Sequence, residues 1–226
     1  MDRKQIKEEA KAKYKGNKWN ILMPLILMTI IIFVITYAIE LLGVPLTNPD
    51  GTNTNAGYIV NFIISMLQAL YVVGYIKYML NFIRTGEFMP LQEALSVLKD
   101  SWGTVLLGYI LITIITSIGF ILLIVPGIIL SLGFTMFNYL VADQKVTDAL
   151  DGIKKSWNMM KGYKANLFVF VLSFFGWFLL CILTLGILLI WVIPYYQTAI
   201  TIYYDKLKQI KNQETPSTIE QPSPQE

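Results

Sequence analysis

The chain has 226 residues, of which 55% are hydrophobic and only 15% are charged. Soluble domains carry about 25% charged residues, so this composition excludes an ordinary water-soluble globule. Three stretches contain no charged residue at all: 51–76, 101–142 and 165–204. A bilayer core of about 30 Å needs about 20 apolar residues per helix. The last two stretches are therefore long enough for two spans each, and the sequence predicts an all-α, polytopic helical membrane protein.

The composition also excludes several kinds of active site. The chain has no histidine, so it can form neither a Ser-His-Asp triad nor a Cys-His pair. Its single cysteine, Cys181, lies in an apolar run, where a thiol is usually unreactive, and it has no partner for an intramolecular disulfide. No glycine-rich phosphate loop and no zinc-protease motif is present. We therefore expect no catalytic residue, no metal site, no cofactor and no enzymatic activity.

Six transmembrane helices are predicted, arranged as three hairpins. Pro126-Gly127 divides the second uncharged stretch and Thr184-Leu185-Gly186 divides the third, because proline cannot continue a helix and glycine permits a reversal. The predicted spans are 23–42, 58–79, 105–124, 127–142, 167–183 and 187–204. The fourth is short, so a full crossing and a re-entrant segment both stay open. Residues 1–208 are expected to form a single membrane domain, and the polar residues 209–226 a disordered cytoplasmic tail.

The basic residues predict the orientation of these spans. All 18 Lys and Arg residues lie in the N-terminal segment, in 77–103, in 143–166 or after residue 204, and the other three connections have none. With six spans, all of them fall on one side, which the positive-inside rule assigns to the cytoplasm. The first apolar stretch is about 20 residues long, longer than the apolar region of a typical signal peptide, so it is predicted to be a retained span.

An amphipathic stretch precedes each predicted hairpin. Residues 94–102 and 149–157 both read A-L-x-x-[L/I]-K-x-S-W, and Lys15–Asn20 resembles Lys161–Asn166. Either a threefold internal repeat or the common demands of a membrane surface explains this similarity. Each stretch is predicted to form a cytoplasmic surface helix that anchors the protein and contacts anionic lipids.

The third amphipathic stretch has the clearest helical pattern. Its apolar residues recur at helical spacing, and Thr147 is the expected cap, with Asp148 in the first turn. The residues of the predicted apolar stripe are Ala149, Ile153, Trp157 and Met160.

Polar residues inside two spans form a candidate intramembrane polar face. Asn61, Ser65 and Gln68 are spaced at i, i+4 and i+7 on the second span, and the third span carries Thr113, Thr116 and Ser117. An amide facing lipid would lack hydrogen-bond partners, so this face is expected to point into the bundle. It serves either as polar contact between helices or as the lining of a groove for a small substrate.

Several segments of the chain resemble the bacterial integral-membrane family grouped as domain of unknown function 975. The segments are Arg3–Trp19, Val125–Ile129, Ala142-Asp143, Ser156–Gly162, Leu172–Phe178, Leu183–Ile187 and Trp191–Tyr195. The resemblance extends over nearly the whole chain up to Lys208. It implies a multi-pass protein of the bacterial cell membrane to which no reaction is assigned.

Three classes of function stay open. The first is a non-catalytic protein that acts through membrane partners, namely anionic lipids or a membrane protein, or in an envelope response, with no role for nucleic acid. The alternative is a small transporter or channel with a polar groove between spans two and three. A membrane enzyme would need clustered carboxylates, and only Asp143, Asp148 and Asp151 are available; these are expected to cap and solvate a helix instead.

Overall fold

The computed structural model describes residues 2–146 and 148–214. Over these ranges the chain is helical apart from its connections, with one isolated antiparallel bridge between Thr47 and Asn53. In chain order the helices are α1 (Arg3–Leu41), α2 (Asn55–Thr85), α3 (Leu91–Leu95), α4 (Leu98–Leu122), α5 (Ile124–Phe134), α6 (Phe137–Ala142), α7 (Ala149–Met159), α8 (Lys164–Leu172), α9 (Phe175–Leu183) and α10 (Leu189–Glu214).

Five helical segments of the described chain are long and apolar enough to cross a membrane. They correspond to the first five predicted spans, and the last two of them each consist of two helices joined by a short break, α5–α6 and α8–α9. The sixth predicted span lies within α10, which is not one of the five. Its tyrosine, threonine, glutamine and charged residues reduce its mean hydropathy, and many of them face other helices instead of the outside.

The first helix continues from the amphipathic N-terminal segment into the first span through a kink at Asn17. Its 39 residues correspond to about 58 Å at 1.5 Å per residue. Asp2 caps it by accepting hydrogen bonds from two backbone N–H groups, and the helix bends at Asn17, where φ is −124°. Ile6 and Ala10 are completely buried. The N-terminal part of α1 therefore packs against the rest of the protein, chiefly α10, and is not a separate surface helix.

Tyrosine hydroxyls of α2 bind the backbone of α1 where proline interrupts it. Pro24 has no N–H, so the carbonyl of Asn20 lacks its usual helical donor. The Tyr78 hydroxyl donates to this carbonyl at 3.0 Å. The hydroxyls of Tyr75 and Tyr71 donate to neighbouring carbonyls of α1. These bonds align the two helices at the point where α1 is weakest.

The reversal between α4 and α5 occurs at Leu123, three residues before the predicted position. Leu123 is extended, with φ −163° and ψ 151°, and α5 begins at the next residue. Pro126 then lies in the first turn of α5, where backbone N–H groups have no acceptor within the helix, so the N–H that proline lacks is not needed there. A Cβ on Gly119 would lie 3.1 Å from the Cα of Gly127, so the two helices of this hairpin pack closely.

The two copies of the repeated motif differ in structure. In the first copy, α3 ends at Leu95 and α4 begins at Leu98, so the predicted surface helix over residues 91–100 is interrupted. The second copy lies in α7, which is one continuous helix. The Leu95 side chain lies against Gly74 of α2, where a Cβ would be 2.4 Å from the leucine Cδ2. This packing directs the first copy inward.

The buried stripe of α7 is not the predicted one. Its buried residues are Ala149, Gly152, Ser156 and Met159, together with Met160 immediately after the helix, whereas Ile153 and Trp157 are only partly buried. Small residues on this face let the helix approach its neighbours closely, and the Ser156 hydroxyl donates to the backbone carbonyl of Gly133 at 2.9 Å.

The cap of α7 also differs from the prediction. Asp148 caps the helix through its carboxylate, which accepts from the backbone N–H of Asp151 at 2.8 Å. The predicted cap, Thr147, lies outside the described residues.

Phe137 lies at the centre of the helix packing, 2% exposed. Its ring fits between two glycines, Gly108 of α4 and Gly152 of α7. A Cβ on Gly108 would lie 2.0 Å from the ring, and one on Gly152 would lie 2.6 Å from it. The tip of the ring lies against Gly108 and one edge lies against Gly152, so this side chain of α6 packs closely on α4 and α7 at once.

Interhelical polar contacts gather at one end of the bundle, which we call the basic end. The Lys13 ammonium donates to the carbonyl of Ile83 at 3.0 Å, and Lys206 pairs with Glu9 at 2.8 Å. These contacts bring together the N-terminal part of α1 and the C-terminal parts of α2 and α10.

The last helix extends beyond the predicted end of the membrane domain. α10 continues through Glu214, so residues 209–214, predicted to belong to a disordered tail, are helical. Glutamine, lysine and glutamate in this segment favour helix, and Lys211 in the last turn suits the negative end of the helix dipole. The rest of the predicted tail, residues 215–226, lies outside the described residues.

Candidate anion-binding site

An ionic network centred on Asp143 joins three helices at the basic end. Asp143 follows α6, and its carboxylate is only 8% exposed. Arg84, in the last turn of α2, lies 2.7 Å from one carboxylate oxygen. The Tyr204 hydroxyl of α10 donates to the other oxygen at 3.0 Å, and the ammonium of Lys208, one turn further along α10, binds the same oxygen. Both oxygens of the carboxylate are thus engaged.

Arg84 bridges two carboxylates. Its Nε and Nη2 both lie 2.8 Å from the same Oδ1 of Asp205, while its Nη1 binds Asp143. A guanidinium presents several N–H donors in one plane, so a single side chain can hold α6 and α10 against the end of α2.

The network keeps Asp143 ionised. Burial by itself raises the pKa of its carboxyl, but the hydrogen bonds from Arg84 and Lys208 outweigh this effect and hold the pKa below its ordinary value. The carboxylate is therefore charged at neutral pH and acts as an acceptor for the surrounding donors.

A cavity of about 570 Å³ opens next to this network, between α6, α7 and the end of α10. Four lysines and two asparagines line it, and none of the described residues in the lining is a carboxylate. We call it the lysine cavity; its lining residues are Leu140, Lys145, Lys155, Asn158, Met159, Tyr204, Lys208, Lys211 and Asn212. Ammonium and amide groups donate hydrogen bonds to phosphate and carboxylate oxygens, so the lining suits an anion.

Local contacts orient the lysines of this cavity. The Lys155 ammonium donates to the carbonyl of Lys145 and pairs with Asp151, both at 2.8 Å. The Lys211 ammonium lies 5.0 Å from the centre of the Tyr163 ring. These contacts hold cationic groups from α7 and α10 around one opening.

The predicted polar face was expected to point into the bundle, but most of its residues are exposed. Asn61, Gln68, Thr113 and Ser117 are exposed, while Ser65 and Thr116 are partly buried. The Ser65 and Thr116 hydroxyls donate to carbonyls of their own helices, and the Asn61 amide donates to Asn53 in the preceding turn. Within the described part of the chain, no hydrogen bond joins the two halves of this face.

Helical phase explains this placement. Tyr75 lies seven residues after Gln68, on the same face of α2, and its hydroxyl binds the backbone of α1. The polar residues therefore point towards the side of α1, not towards α4. At this position along α2 the first helix does not cover the polar residues, and Asn61 and Gln68 are exposed.

The three carboxylates considered for an enzyme have separate roles. Asp143 is the centre of the ionic network, Asp148 caps α7, and Asp151 pairs with Lys155. Sequence reasoning listed Asp143 but missed Arg84, Tyr204 and Lys208. One signal was available: Arg84 is the single arginine outside the N-terminal segment, and a guanidinium at the end of a span usually has a carboxylate partner.

Comparison with known proteins gives one match, and it covers the part of the chain that holds most of the lysine cavity. No curated protein and no solved structure matches the sequence. One family model matches residues 106–211, a segment that contains Asp143 and all but one residue of the lysine cavity, while Arg84 and the N-terminal helix lie outside it. The resemblance inferred from the sequence is therefore confirmed over residues 106–211, where the chain is similar to the family described as Protein of unknown function (DUF975).

Proposed function

We propose that this chain is a non-catalytic integral protein of a bacterial cell membrane that acts by binding an anionic partner at its basic end. The observation that carries the proposal is the lysine cavity, where four cationic side chains and two amides surround about 570 Å³ of open space. The partner is a membrane protein whose cytoplasmic segment carries carboxylate or phosphate groups. Association through such groups is fast and salt-dependent.

The proposal includes six spans, with α10 as the sixth. Its residues 189–204 carry no charge, and Thr198, Thr201 and Tyr203 are nearly or fully buried. A span that other helices cover needs less apolar surface than one that faces lipid. With six spans, both termini and the lysine cavity lie in the cytoplasm, as the positive-inside rule requires.

The engagement of the carboxylates supports a non-catalytic role. A general base needs a carboxylate free to take a proton, whereas Asp143 accepts from three side chains and Asp148 from the backbone. The cavity thus offers donors for binding an anion and no available base in its lining.

Site-directed photocrosslinking tests the proposal. A photoreactive amino acid at Asn158, in the cavity lining, should capture a defined membrane protein in native membranes, whereas one at Gln92, exposed on α3, should not. Lys145→Glu with Lys211→Glu should abolish the adduct at normal protein abundance. The same charge change at Lys99 and Lys154, which are exposed outside the cavity, is the matched control. Capture of lipid alone, or equal capture at both positions, would contradict a protein partner.

A small transporter is the second candidate, favoured by the interrupted spans. Two span-length segments break in the middle, at Thr135-Met136 between α5 and α6 and at Ser173-Phe174 between α8 and α9. Broken helices often line transport pathways. Efflux of a trapped fluorescent anion from proteoliposomes that disappears in the Lys145→Glu, Lys211→Glu variant would favour this function over the first.

A further inference from the structure

A groove runs along one face of α1, between α1 and α10, and shares no lining residue with the lysine cavity. It consists of three adjoining cavities of about 250, 40 and 240 Å³. Neighbouring cavities share residues: Tyr14 and Trp191 line the first two, and Leu22 and Ile190 line the last two. We call this row of three adjoining cavities the α1–α10 groove.

The chemistry of the groove changes along its length. Its end nearest the N-terminus combines lysines with indole rings: Lys11 lies beside Trp177 and Trp191 in the first cavity, and Lys18 beside Trp19 and Trp191 in the second. The other end is lined almost wholly by aliphatic side chains of α1 and α10, such as Ile30 and Ile193. A cationic and aromatic zone followed by an aliphatic zone matches the headgroup interface and the acyl region of a lipid leaflet.

The dimensions of the groove also match one leaflet. Lys18 and Ile30 are twelve residues apart on α1, a distance of about 18 Å along a helix. Half of a bilayer core is about 15 Å. The single hydroxyl in the aliphatic zone, that of Thr29, donates to the carbonyl of Leu25 at 2.9 Å, so it presents no unsatisfied donor to an acyl chain.

The two lysines are available for an anion. Lys7 and Lys13, on the same helix, already donate to the carbonyls of Ser173 and Ile83. Lys11 and Lys18 are exposed, and Lys18 has only a distant contact with the neighbouring Trp19 ring, at 5.9 Å. Lys11 lines the first cavity and Lys18 the second, so this end of the groove carries two exposed cationic groups.

We propose that the α1–α10 groove binds one anionic phospholipid of the inner leaflet, with its phosphate at Lys11 and Lys18 and an acyl chain against Ile30 and Ile193. A net negative headgroup complements the lysines, whereas a zwitterionic headgroup brings its own cation next to them. This site goes beyond the function proposed above, because it lies apart from the lysine cavity and needs no protein partner.

Native mass spectrometry of the full chain tests this site. The protein is reconstituted with equal amounts of phosphatidylglycerol and phosphatidylcholine of the same acyl chains, and then extracted into mild detergent. We expect one phosphatidylglycerol to be retained preferentially. Lys11→Gln with Lys18→Gln should weaken this preference about tenfold to thirtyfold, since each lysine near an anionic headgroup contributes about a factor of five. Lys99→Gln with Lys154→Gln, which removes the same charge elsewhere, should leave it unchanged.

A second variant separates a groove from simple surface attraction. Ile26→Trp fills the aliphatic zone without changing any charge, so it should reduce retention of the long-chain lipid. Melting temperatures of all variants in detergent show whether each one is folded. Equal effects of the two lysine pairs, equal retention of both lipids, or unchanged retention in folded Ile26→Trp would overturn the proposal.

Discussion

At the scale of single residues, Asp143 shows how one carboxylate can join three helices. Its 8% exposed side chain meets Arg84, Tyr204 and Lys208. Removing one member of a buried ion pair costs about 3–5 kcal/mol, because the partner charge stays buried without compensation. Arg84 is 34% exposed, so solvent screens part of that charge and reduces the cost.

We expect Asp143→Asn to lower the free energy of unfolding by about 1–3 kcal/mol, less than for a fully buried pair because solvent screens Arg84. The measurement is the Tm in detergent micelles. Asp100→Asn, which removes an exposed carboxylate from the first turn of α4, is the control and should shift the Tm far less. Equal Tm values for wild type and Asp143→Asn would show that the network contributes no net stability.

The same carboxylate predicts a pH dependence. The folded-state pKa of Asp143 lies below its ordinary value, so its contribution to stability is complete above the unfolded pKa of about 4 and disappears as the pH falls through the folded value. The Tm difference between wild type and Asp143→Asn should therefore be constant from pH 7 to pH 5 and vanish under strongly acidic conditions. A difference that persists there would point to packing instead of charge.

At the scale of helices, the contact between α1 and α2 depends on a bond that replaces one lost to proline. The Tyr78 hydroxyl donates to the Asn20 carbonyl, whose helical donor is missing at Pro24. Tyr78→Phe should lower the free energy of unfolding by about 0.5–1.5 kcal/mol, the usual net value of a hydrogen bond. In a Pro24→Ala background the new N–H takes over the carbonyl, so the same change should cost less. A double-mutant cycle of Tm values measures this coupling; additive effects would contradict it.

The packing of α7 predicts that Gly152→Ala lowers the stability of the protein, whereas helix propensity alone predicts that it raises the stability. Alanine in place of an exposed helical glycine stabilises a helix by about 1 kcal/mol. At Gly152 the added Cβ would lie 2.6 Å from the buried Phe137 ring, whose tip is already in close contact with Gly108. We therefore expect Gly152→Ala to lower the Tm, and Phe137→Leu to reduce that loss by making room. A Tm raised by Gly152→Ala would show that the ring moves freely.

At the scale of the whole molecule, the position of the basic residues predicts which side of the membrane each loop occupies. Single cysteines at Thr52 and Gln213 in a Cys181→Ala background report on the α1–α2 turn and on the end of α10. With six spans and both termini inside, a membrane-impermeant thiol reagent should label intact cells at position 52 only. Labelling at position 213 would mean that α10 does not cross or that the orientation is reversed.

Spans and sites differ in how well the sequence predicts them. The first five predicted spans agree with span-length apolar helices, because a bilayer imposes its composition on each span separately. The face formed by Asn61, Ser65 and Gln68 was predicted to meet α4, but it lies on the side of α1. Its direction depends on the rotation of α2 about its axis, which the contact of Tyr75 with α1 determines.

By itself, the sequence determined where the apolar helices lie, which connections are basic and which family the second half resembles. Each of these properties is local, because it is set by the composition of one segment in lipid or water. Only the tertiary structure decided that Arg84 meets Asp143 and that Phe137 fits between Gly108 and Gly152. Such pairs are far apart in the chain, and they meet only because helix rotation and close packing bring particular faces together.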